Sequence, residues 1–290
     1  MARRAQRVAA AVSAVEMTGS AVPGRTPQLV ATDLDGTIVR SDGTIGPRTI
    51  AVIARLEEAG VPFVMVTGRP PRWMGPVAAE TGHRGLAVCA NGALLYDLHT
   101  ERVVRAHLLE ADTAGGIVAA LRRDLPGIGF AVERGPKDGV PGGFAREPAY
   151  IPRWDNGELT VEQVPELVAS GVVKLLARHE RMSSDDLLAA ARRSIGEIAE
   201  ITHSSSGGLL EISAAGISKA SGLAAVAAEF GVGSADVIAF GDMPNDLPML
   251  AWAGRAVGMA NAHHEVLALV DEVAESNDDE GVAQVLERWF

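Results

Sequence analysis

Two carboxylates follow a short apolar run near the start of the chain. The segment 29–37 has the sequence LVATDLDGT, in which these carboxylates are Asp33 and Asp35. The apolar run predicts a buried strand, and because aspartate is uncommon within strands, we expect the strand to end at Asp33. In open α/β sheets, reacting groups lie in the crevice beyond the carboxyl ends of the strands. Asp33 and Asp35 are therefore candidates for nucleophilic and acid–base chemistry, although a turn explains the same residues when they are taken alone.

Three more predicted strands end in polar residues of the kinds that bind phosphate or metal ions. Thr67 follows the run 61–66, Asn91 follows 86–90, and Asp242 follows 236–240. The carboxyl ends of parallel strands share one edge of a sheet, so these residues should converge with Asp33 on a single crevice. A turn accounts for any one strand end, but it does not explain why all four carry suitable groups.

Four aspartates gathered in that crevice, Asp33, Asp35, Asp242 and Asp246, would repel one another strongly. Two carboxylates about 4 Å apart repel by roughly 4 kcal/mol at an effective dielectric constant near 20, so three such pairs would cost on the order of 12 kcal/mol. That cost is comparable with the whole stability of a domain, roughly 5–15 kcal/mol. A cation is therefore expected, and Mg²⁺ suits one or two carboxylates together with water and a substrate phosphate. Lys219, at the start of a predicted helix that returns to this edge, would add a second positive charge.

The elements that position these residues alternate between strands and helices. The run 47–60 predicts an amphipathic helix that ends at Gly60, and further helices are predicted over 71–81 and 218–230. Strand–helix–strand units of about 30 residues indicate a parallel sheet with right-handed crossovers.

Between about residues 94 and 206 the sequence pattern changes. Shorter strand-like runs, over 103–107, 128–133, 172–177 and 197–202, accompany two predicted helices, over 111–125 and 183–195. The Gly- and Pro-rich passage 127–152 between the helices is too irregular for a core element. We expect a separate α+β domain here, with Arg146, Tyr150, Arg153 and Trp154 at its rim. The predicted organisation is a disordered extension over 1–27, a core domain over 28–94 and 207–290, and an inserted domain over 95–206.

The composition is that of an ordinary globular protein, with 47% hydrophobic and 22% charged residues in a chain of 290. The formal net charge of −11 argues against nucleic acid as a partner, because phosphate backbones are bound by clustered Lys and Arg. Cys89 is the single cysteine of the sequence, so an internal disulfide is excluded. Its apolar surroundings in the sequence favour a buried structural role.

No run of about 18 apolar residues occurs, so a transmembrane helix is not expected. Residues 1–27 are rich in Arg and Ala and then in Gly and Pro, but Glu16 interrupts their apolar run. A disordered extension is therefore favoured over an export signal, with Met17 as an alternative start. We expect a cytoplasmic protein that does not bind membranes.

Four blocks of this sequence resemble the four motifs of the haloacid dehalogenase (HAD) superfamily. They are DLDGT at 33–37, TGR at 67–69, Lys219, and GDMPND at 241–246. The segments NGA at 91–93, LEIS at 210–213, MANA at 259–262 and SNDDEGVA at 276–283 are similar to the Cof-type branch, which has a type IIB cap. The resemblance spans about residues 28–290. It implies a Rossmann-like parallel sheet with helices on both faces and an α+β cap inserted between the second and third motifs.

The resemblance also implies a role for each matching residue. Asp33 would be the nucleophile that forms an aspartyl-phosphate, and Asp35 would act first as acid and then as base, with its pKa raised by acidic neighbours. Thr67 would hydrogen-bond a phosphoryl oxygen, and Lys219 would neutralise both nucleophile and phosphate. Mg²⁺ would be held by the Asp33 carboxylate, the backbone carbonyl of Asp35, and Asp242. The residues implied in substrate binding are Gly68, Arg69, Asn91 and Asn245.

Each of these residues also has a simpler explanation. Thr67-Gly68-Arg69 alone is a common turn, Lys219 alone is a common solvated helix residue, and Asn245 and Asp246 could cap the next helix. The presence of all four blocks in order favours the functional interpretation.

The expected activity is therefore Mg²⁺-dependent hydrolysis of small phosphorylated metabolites, such as sugar, nucleotide or vitamin phosphates. A phosphomutase or a dedicated sugar-phosphate phosphatase of the same superfamily is the alternative. An inactive binding module is disfavoured, because Asp33, Asp35 and Lys219 are all retained. The resemblance implies that the cap shapes the substrate pocket, so the segments 127–154 and 172–178 are expected to line it. The individual metabolite and the oligomeric state stay open.

Overall fold

The computed structural model describes residues 25–152 and 160–290. Residues 1–24 of the predicted extension lie outside the described residues, as do Arg153 and Trp154 of the predicted cap rim. Within the described part of the chain, no helix has the combination of length and apolar character that crossing a bilayer requires.

The described residues form fourteen strands. In chain order they are β1 (Leu29–Thr32), β2 (Phe63–Val66), β3 (Leu86–Cys89), β4 (Leu94–Asp97), β5 (Arg102–Ala106), β6 (Gly129–Arg134), β7 (Phe144–Arg146), β8 (Thr160–Val161), β9 (Val172–Arg178), β10 (Ala199–Thr202), β11 (Leu209–Ala214), β12 (Val237–Gly241), β13 (Arg255–Met259) and β14 (Glu272–Ala274).

Nine α-helices are described over the same residues. They are α1 (Pro47–Glu58), α2 (Met74–Thr81), α3 (Ala111–Asp124), α4 (Val164–Leu167), α5 (Ser184–Ile195), α6 (Lys219–Glu229), α7 (Leu247–Trp252), α8 (His264–Leu267) and α9 (Gly281–Leu286). The predicted helices 47–60, 111–125, 183–195 and 218–230 are each present, with ends that differ by one or two residues. The helix predicted over 71–81 begins with a 3₁₀ turn, Pro71–Trp73, before α2.

The larger sheet has eight strands in the order β14-β13-β12-β1-β2-β3-β4-β5. The strands from β14 to β3 are parallel, and β4 and β5 continue the sheet in antiparallel pairing. Strand β1 lies between β12 and β2, with Val30 opposite Ile238 on one side and Phe63 on the other. The parallel sheet predicted from the strand–helix–strand units is therefore confirmed.

Helices cover both faces of this sheet. On one face, α1, α2 and α9 bury residues such as Ile53, Val77 and Leu286. On the opposite face, α6, α7 and α8 bury residues such as Leu223 and Leu250. The predicted Rossmann-like core with helices on both faces is the observed architecture.

The second sheet has the strand order β10-β11-β9-β6-β7-β8 and is mostly antiparallel. Helices α3 and α5 pack on one face through Ile117, Leu121 and Leu187. Strand β6 confirms the strand-like run predicted over 128–133, but the remainder of the passage 127–152, predicted to be too irregular for a core element, contains β7 of this sheet. Gly129 permits that packing, because a Cβ atom there would lie 2.4 Å from the carbonyl oxygen of Ala149.

Sheet pairing also shifts the predicted limits of the inserted domain. Strands β4 and β5 were predicted within the insertion at 95–206, but they pair with the larger sheet. Strand β11 was predicted in the second core segment, but it pairs with β9 and β10. The sequence of a short strand does not show which sheet the strand joins, because that depends on partner strands that are distant in the sequence.

Candidate active site

Asp33 and Lys219 meet at the carboxyl end of β1. The backbone N–H of Asp33 donates to the carbonyl of Phe240 on β12 at 3.0 Å, which fixes the residue at the edge of the sheet. The Lys219 ammonium donates to Asp33 Oδ1 at 2.6 Å, and neither side chain is more than 6% exposed. The predicted convergence of these two residues, which are 186 positions apart, is observed.

Lys219 is placed by the start of α6. Ser218 caps this helix by accepting a hydrogen bond from the N–H of Ser221. Gly92 lies against that start with φ +99°, and a Cβ atom there would lie 2.0 Å from the carbonyl oxygen of Ser218. Only glycine allows this approach at this backbone angle, so the turn after β3 sets the position of the lysine.

Asp246 forms hydrogen bonds with both Lys219 and the loop that follows β12. Its Oδ1 accepts from Lys219 Nζ at 2.6 Å, and its Oδ2 accepts from the backbone N–H groups of Asp242 and Met243, each at 3.0 Å. Burial opposes the charge on Lys219, but the Asp246 and Asp33 carboxylates outweigh it and raise the pKa of the lysine above its ordinary value. Lys219 is therefore a permanent cation at neutral pH.

Asp33, Asp242 and Asp246 form the acidic cluster of the site. Each offers a carboxylate oxygen, and these oxygens lie within 4.8 Å of one another. Burial, followed by the Asp33 and Asp246 charges, raises the pKa of Asp242 to about 9. Burial also raises the pKa of Asp33 to about 7, against the opposing effect of Lys219. In the absence of a metal ion, the Asp242 carboxyl group therefore favours its protonated form at neutral pH.

This cluster fits a hard divalent cation. Thr37 Oγ1 donates to Asp242 Oδ1 at 3.4 Å, and Gly36 has φ +77° with no room for a Cβ atom, which would lie 2.2 Å from Asp242 Oδ2. Both Asp246 oxygens are already hydrogen-bonded, so Asp33 and Asp242 supply the oxygens that remain available. All-oxygen donors are those that Mg²⁺ prefers. The Asp33 and Asp242 carboxylates thus suit a hard cation, while Asp246 acts through Lys219 and the loop.

Asp35 is exposed at the mouth of the site, close enough to Asp33 for its charge to add to burial in raising the pKa of that carboxyl group. Its two oxygens accept from Arg69, from Nε at 2.8 Å and from Nη2 at 2.5 Å. The direct partner of Asp35 is thus the Arg69 guanidinium. Leu34 is buried in the core, and the neighbouring Asp35 side chain points away from the core. Thr67 is buried, and its Oγ1 accepts from the N–H of Arg69 at 3.0 Å. That leaves the Thr67 hydroxyl proton available to an incoming oxygen.

Asn91 and Asn245 lie behind Gly68, where their side chains touch. Asn245 Nδ2 donates to Asn91 Oδ1 at 3.1 Å, and Asn91 Nδ2 donates to Glu211 Oε2 at 2.9 Å. Asn245 Oδ1 is buried and has no hydrogen-bond partner among the described residues. Asn91 adopts a left-handed backbone, φ 57°, which asparagine tolerates better than most residues.

Lys174 and Glu211, both from the second sheet, complete this network. Lys174 Nζ donates to Glu211 Oε2 at 2.6 Å and to the carbonyl of Gly68 at 2.7 Å, and both side chains are almost fully buried. The opposing effect of Lys174 outweighs burial and lowers the pKa of Glu211. Neither residue has an individual role predicted from the sequence. The visible signal was one charged residue inside each of two largely apolar runs, VVKLLA at 172–177 and LLEIS at 209–213.

A cavity of about 280 Å³ lies between the two sheets at this point. It is lined from the larger sheet and its loops by Asp33, Asp35, Gly68, Arg69, Pro70, Trp73, Met243 and Asn245, and from the second sheet by Glu133, Lys174, Leu176, Arg178, Ser204, Ser205, Leu209 and Glu211. Of the predicted rim residues, Tyr150 is fully buried beneath the sheet. Cys89 is buried too, and burial raises its pKa to about 12, which fits the structural role predicted for it.

The four sequence blocks implied an acidic cluster beside a lysine, covered by an inserted domain. The structure has a buried acidic cluster that contacts a buried lysine, and the second sheet covers it. Residues 30–286 match the family model described as haloacid dehalogenase-like hydrolase. The chain belongs to this family. The hydrolase is of the Cof type, as the sequence blocks indicated.

Relatives of this hydrolase are similar over nearly their whole length. Pyridoxal phosphate phosphatase YbhA of Escherichia coli (strain K12) is 27% identical, with 90% of this chain and 98% of that protein covered. The 5-amino-6-(5-phospho-D-ribitylamino)uracil phosphatase YitU of Bacillus subtilis (strain 168) is 25% identical, with coverages of 91% and 98%. The solved structure of the HAD subclass IIB sugar phosphatase BT4131 has a TM-score of 0.74 at 18% identity, with coverages of 90% and 98%, and supports the fold. The hydrolase is thus a phosphatase of the HAD family.

Proposed function

We propose that this hydrolase removes the phosphoryl group from small phosphorylated metabolites in a Mg²⁺-dependent reaction through an aspartyl-phosphate on Asp33. The observation that carries the proposal is the contact of Lys219 with Asp33 at 2.6 Å beside the Asp242 carboxylate. A nucleophilic carboxylate needs its charge retained while an anionic phosphate approaches, and Lys219 supports both requirements.

In the first step, the Asp33 oxygen that is not bound to Lys219 attacks phosphorus, and the bond from phosphorus to the ester oxygen breaks. The departing oxygen takes a proton from the Asp35 carboxyl group. The Thr67 hydroxyl donates to a phosphoryl oxygen, and the Lys219 ammonium neutralises charge on Asp33 and the phosphoryl group. Mg²⁺, held by Asp33, the Asp35 carbonyl and Asp242, would supply further stabilisation of the phosphoryl charge.

In the second step, a water molecule attacks phosphorus and gives its proton to Asp35. The bond from phosphorus to Asp33 breaks, which releases inorganic phosphate and restores the carboxylate. Both Asp35 oxygens accept from Arg69 in this structure, and a shift of the guanidinium would free them for proton transfer to and from the substrate. The substrate phosphate offers Arg69 an alternative bidentate partner, and this exchange would couple substrate binding to release of the acid.

The relatives and the cavity support the class of substrate. Proteins similar over 90% of the chain are named for the hydrolysis of pyridoxal phosphate and of a phosphoribitylamino-uracil. A cavity of about 280 Å³ is of a size that suits a small ligand. We therefore assign small phosphorylated metabolites as substrates, with Gly68, Arg69, Asn91 and Asn245 around the phosphate.

Replacement of the nucleophile tests the proposal. Asp33→Asn should reduce hydrolysis of p-nitrophenyl phosphate to below about 1% of wild type, because removal of a catalytic nucleophile costs several orders of magnitude. Chelation of the wild type should abolish turnover, and added Mg²⁺ should restore it. Asp112→Asn, the same change on the exposed first turn of α3, should retain full activity. Residual activity of the Asp33 variant above that level would exclude Asp33 as the nucleophile.

A further inference from the structure

One wall of the cavity is a face of strand β9. Lys174, Leu176 and Arg178 alternate along this strand, so their side chains share one face, and all three line the cavity. Lys174 contacts the carbonyl of Gly68 and therefore marks the end near Asp33. Arg178 lies four residues farther along, roughly 13 Å at about 3.3 Å per residue. The strand thus places a second cation at the far end of the cavity.

Every other charged side chain that lines the cavity has a partner of opposite charge. The ion pairs are Asp33 with Lys219, Asp35 with Arg69, Glu133 with Arg72, and Glu211 with Lys174. Within residues 25–152 and 160–290, Arg178 has no acidic partner. Its charge is the one that the lining of the cavity leaves without a counter-charge.

Arg178 is also poorly satisfied by neutral groups. It is 7% exposed, its Nε is buried without a hydrogen-bond partner among the described residues, and its Nη1 makes a long hydrogen bond of 3.4 Å to the carbonyl of Gly207. The guanidinium packs over the ring of Tyr150, 5.7 Å from its centre. An aromatic ring compensates a buried cation less fully than a carboxylate does, and burial of an unpaired charge is costly. Packing alone does not require a charged residue at this position.

We propose that Arg178 binds a second anionic group of the substrate, a carboxylate or a phosphate, at the end of the cavity opposite the phosphate that is hydrolysed. This inference rests on the proposed function, which places the scissile phosphate at Asp33 and Lys219. Leu176 lies between the two ends, and Leu209 lies opposite Arg178 on β11; both side chains are apolar and line the cavity. The substrate is therefore a phosphate ester that carries a distal anion, with an apolar or aromatic part beside Leu176 and Leu209.

Three phosphate esters that differ only at the far end test this assignment. Hexyl phosphate ends in a methyl group, and the two matched esters carry a carboxylate or a second phosphate on the terminal carbon. With full-length enzyme and Mg²⁺, kcat/KM should be about 10- to 100-fold higher for an anionic ester than for hexyl phosphate, the range expected for a hydrogen bond to a charged group. The difference should lie mainly in KM. The two anionic esters distinguish a carboxylate site from a phosphate site.

Two variants and a control assign the selectivity to Arg178. Arg178→Met keeps an apolar stem against Tyr150 and should bring the ratio of kcat/KM between anionic and neutral esters close to one. Arg178→Lys keeps the charge but loses the planar guanidinium, so it should retain part of the ratio. Arg193→Met removes the same charge from the exposed side of α5 and should leave the ratio unchanged.

The outcomes separate the two proposals. Hydrolysis of all three esters at similar efficiency by the wild type would overturn the role of Arg178 while leaving the phosphatase assignment intact, and this comparison needs no variant to fold. A loss in Arg178→Met that is equal for all three esters would indicate a structural role and would also overturn it. Failure of the wild type to hydrolyse any of the three esters would overturn the proposed function and the inference with it.

Discussion

Asp242→Asn should make the metal-free enzyme more stable at neutral pH. The Asp242 carboxyl group is 6% exposed, and its pKa rises from 3.8 to about 9 because of burial and the charges of Asp33 and Asp246. Between these two pH values the folded chain binds a proton that the unfolded chain does not hold. The free energy of unfolding therefore falls as pH rises through this window, by up to about 1.4 kcal/mol per pH unit.

The size of the effect follows from the same values. At pH 7, protonation of a group whose unfolded pKa is 3.8 costs on the order of 4 kcal/mol, which is the product of 3.2 pH units and 1.36 kcal/mol. An asparagine needs no proton, and its Oδ1 can still accept the hydrogen bond that Thr37 donates. We expect the free energy of unfolding of the variant to exceed that of wild type by roughly 2–4 kcal/mol at pH 7. The gain can be smaller than the cost of protonation because burial of the amide also removes it from water.

Urea unfolding in a chelator, followed by tryptophan fluorescence at several values between about pH 5 and 9, measures this difference. Wild-type stability should fall across the range, and the slope should be shallower for Asp242→Asn. Addition of Mg²⁺ should reverse the order, since the ion stabilises the protein that binds it more tightly. The reasoning is wrong if the variant is the less stable protein in chelator at neutral pH, or if wild-type stability rises between about pH 5 and 8.

Asp124→Asn provides a control of opposite sign. Asp124 is exposed, and its hydrogen bonds from Arg123 and Ser194 lower its pKa to about 2. A lowered pKa contributes stability above the unfolded value and loses it as pH falls toward the folded one. The asparagine variant should therefore be slightly less stable than wild type at neutral pH and equal to it in strong acid.

Two further predictions concern the surroundings of the site. Lys174→Met should destabilise the protein by about 3–5 kcal/mol in urea unfolding, because it leaves Glu211 buried without its counter-charge. The double variant with Glu211→Gln should recover most of that loss, and a double variant no more stable than the single one would argue against charge as the cause. Gly92→Ala should lower kcat for p-nitrophenyl phosphate by at least about tenfold, because its methyl group would displace Ser218 and with it Lys219, by a distance that alters catalytic geometry. Unchanged kcat in this variant would show that the start of α6 tolerates the shift.

Sequence analysis predicted which residues converge, because strand ends in a parallel sheet share an edge whatever their separation in the chain. It could not predict the partners of Asp35, since the direction of that side chain depends on the turn at Gly36. Nor could it predict the contact of Lys174 with Glu211. These residues are 37 positions apart, and their contact depends on the register in which Glu211 lies opposite Leu176.

The limits of the inserted domain depended on information of the same kind. Strands β4 and β5 extend the larger sheet by hairpin pairing, and β11 joins the second sheet before the chain returns to Lys219. The local composition of the sequence changes near residue 94, but the chain leaves the larger sheet only after β5. A boundary drawn from composition therefore precedes the one drawn from hydrogen bonds.

The central position of β1 has a consequence for synthesis on the ribosome. One edge of this strand pairs with β2, which is synthesised soon afterwards. The other edge pairs with β12, which begins only at Val237 and is therefore synthesised much later. A nascent chain therefore carries an apolar, unpaired strand edge until most of the polypeptide has emerged. Chaperone contact with the segment 29–32 during translation would protect the edge that the finished enzyme buries at its centre.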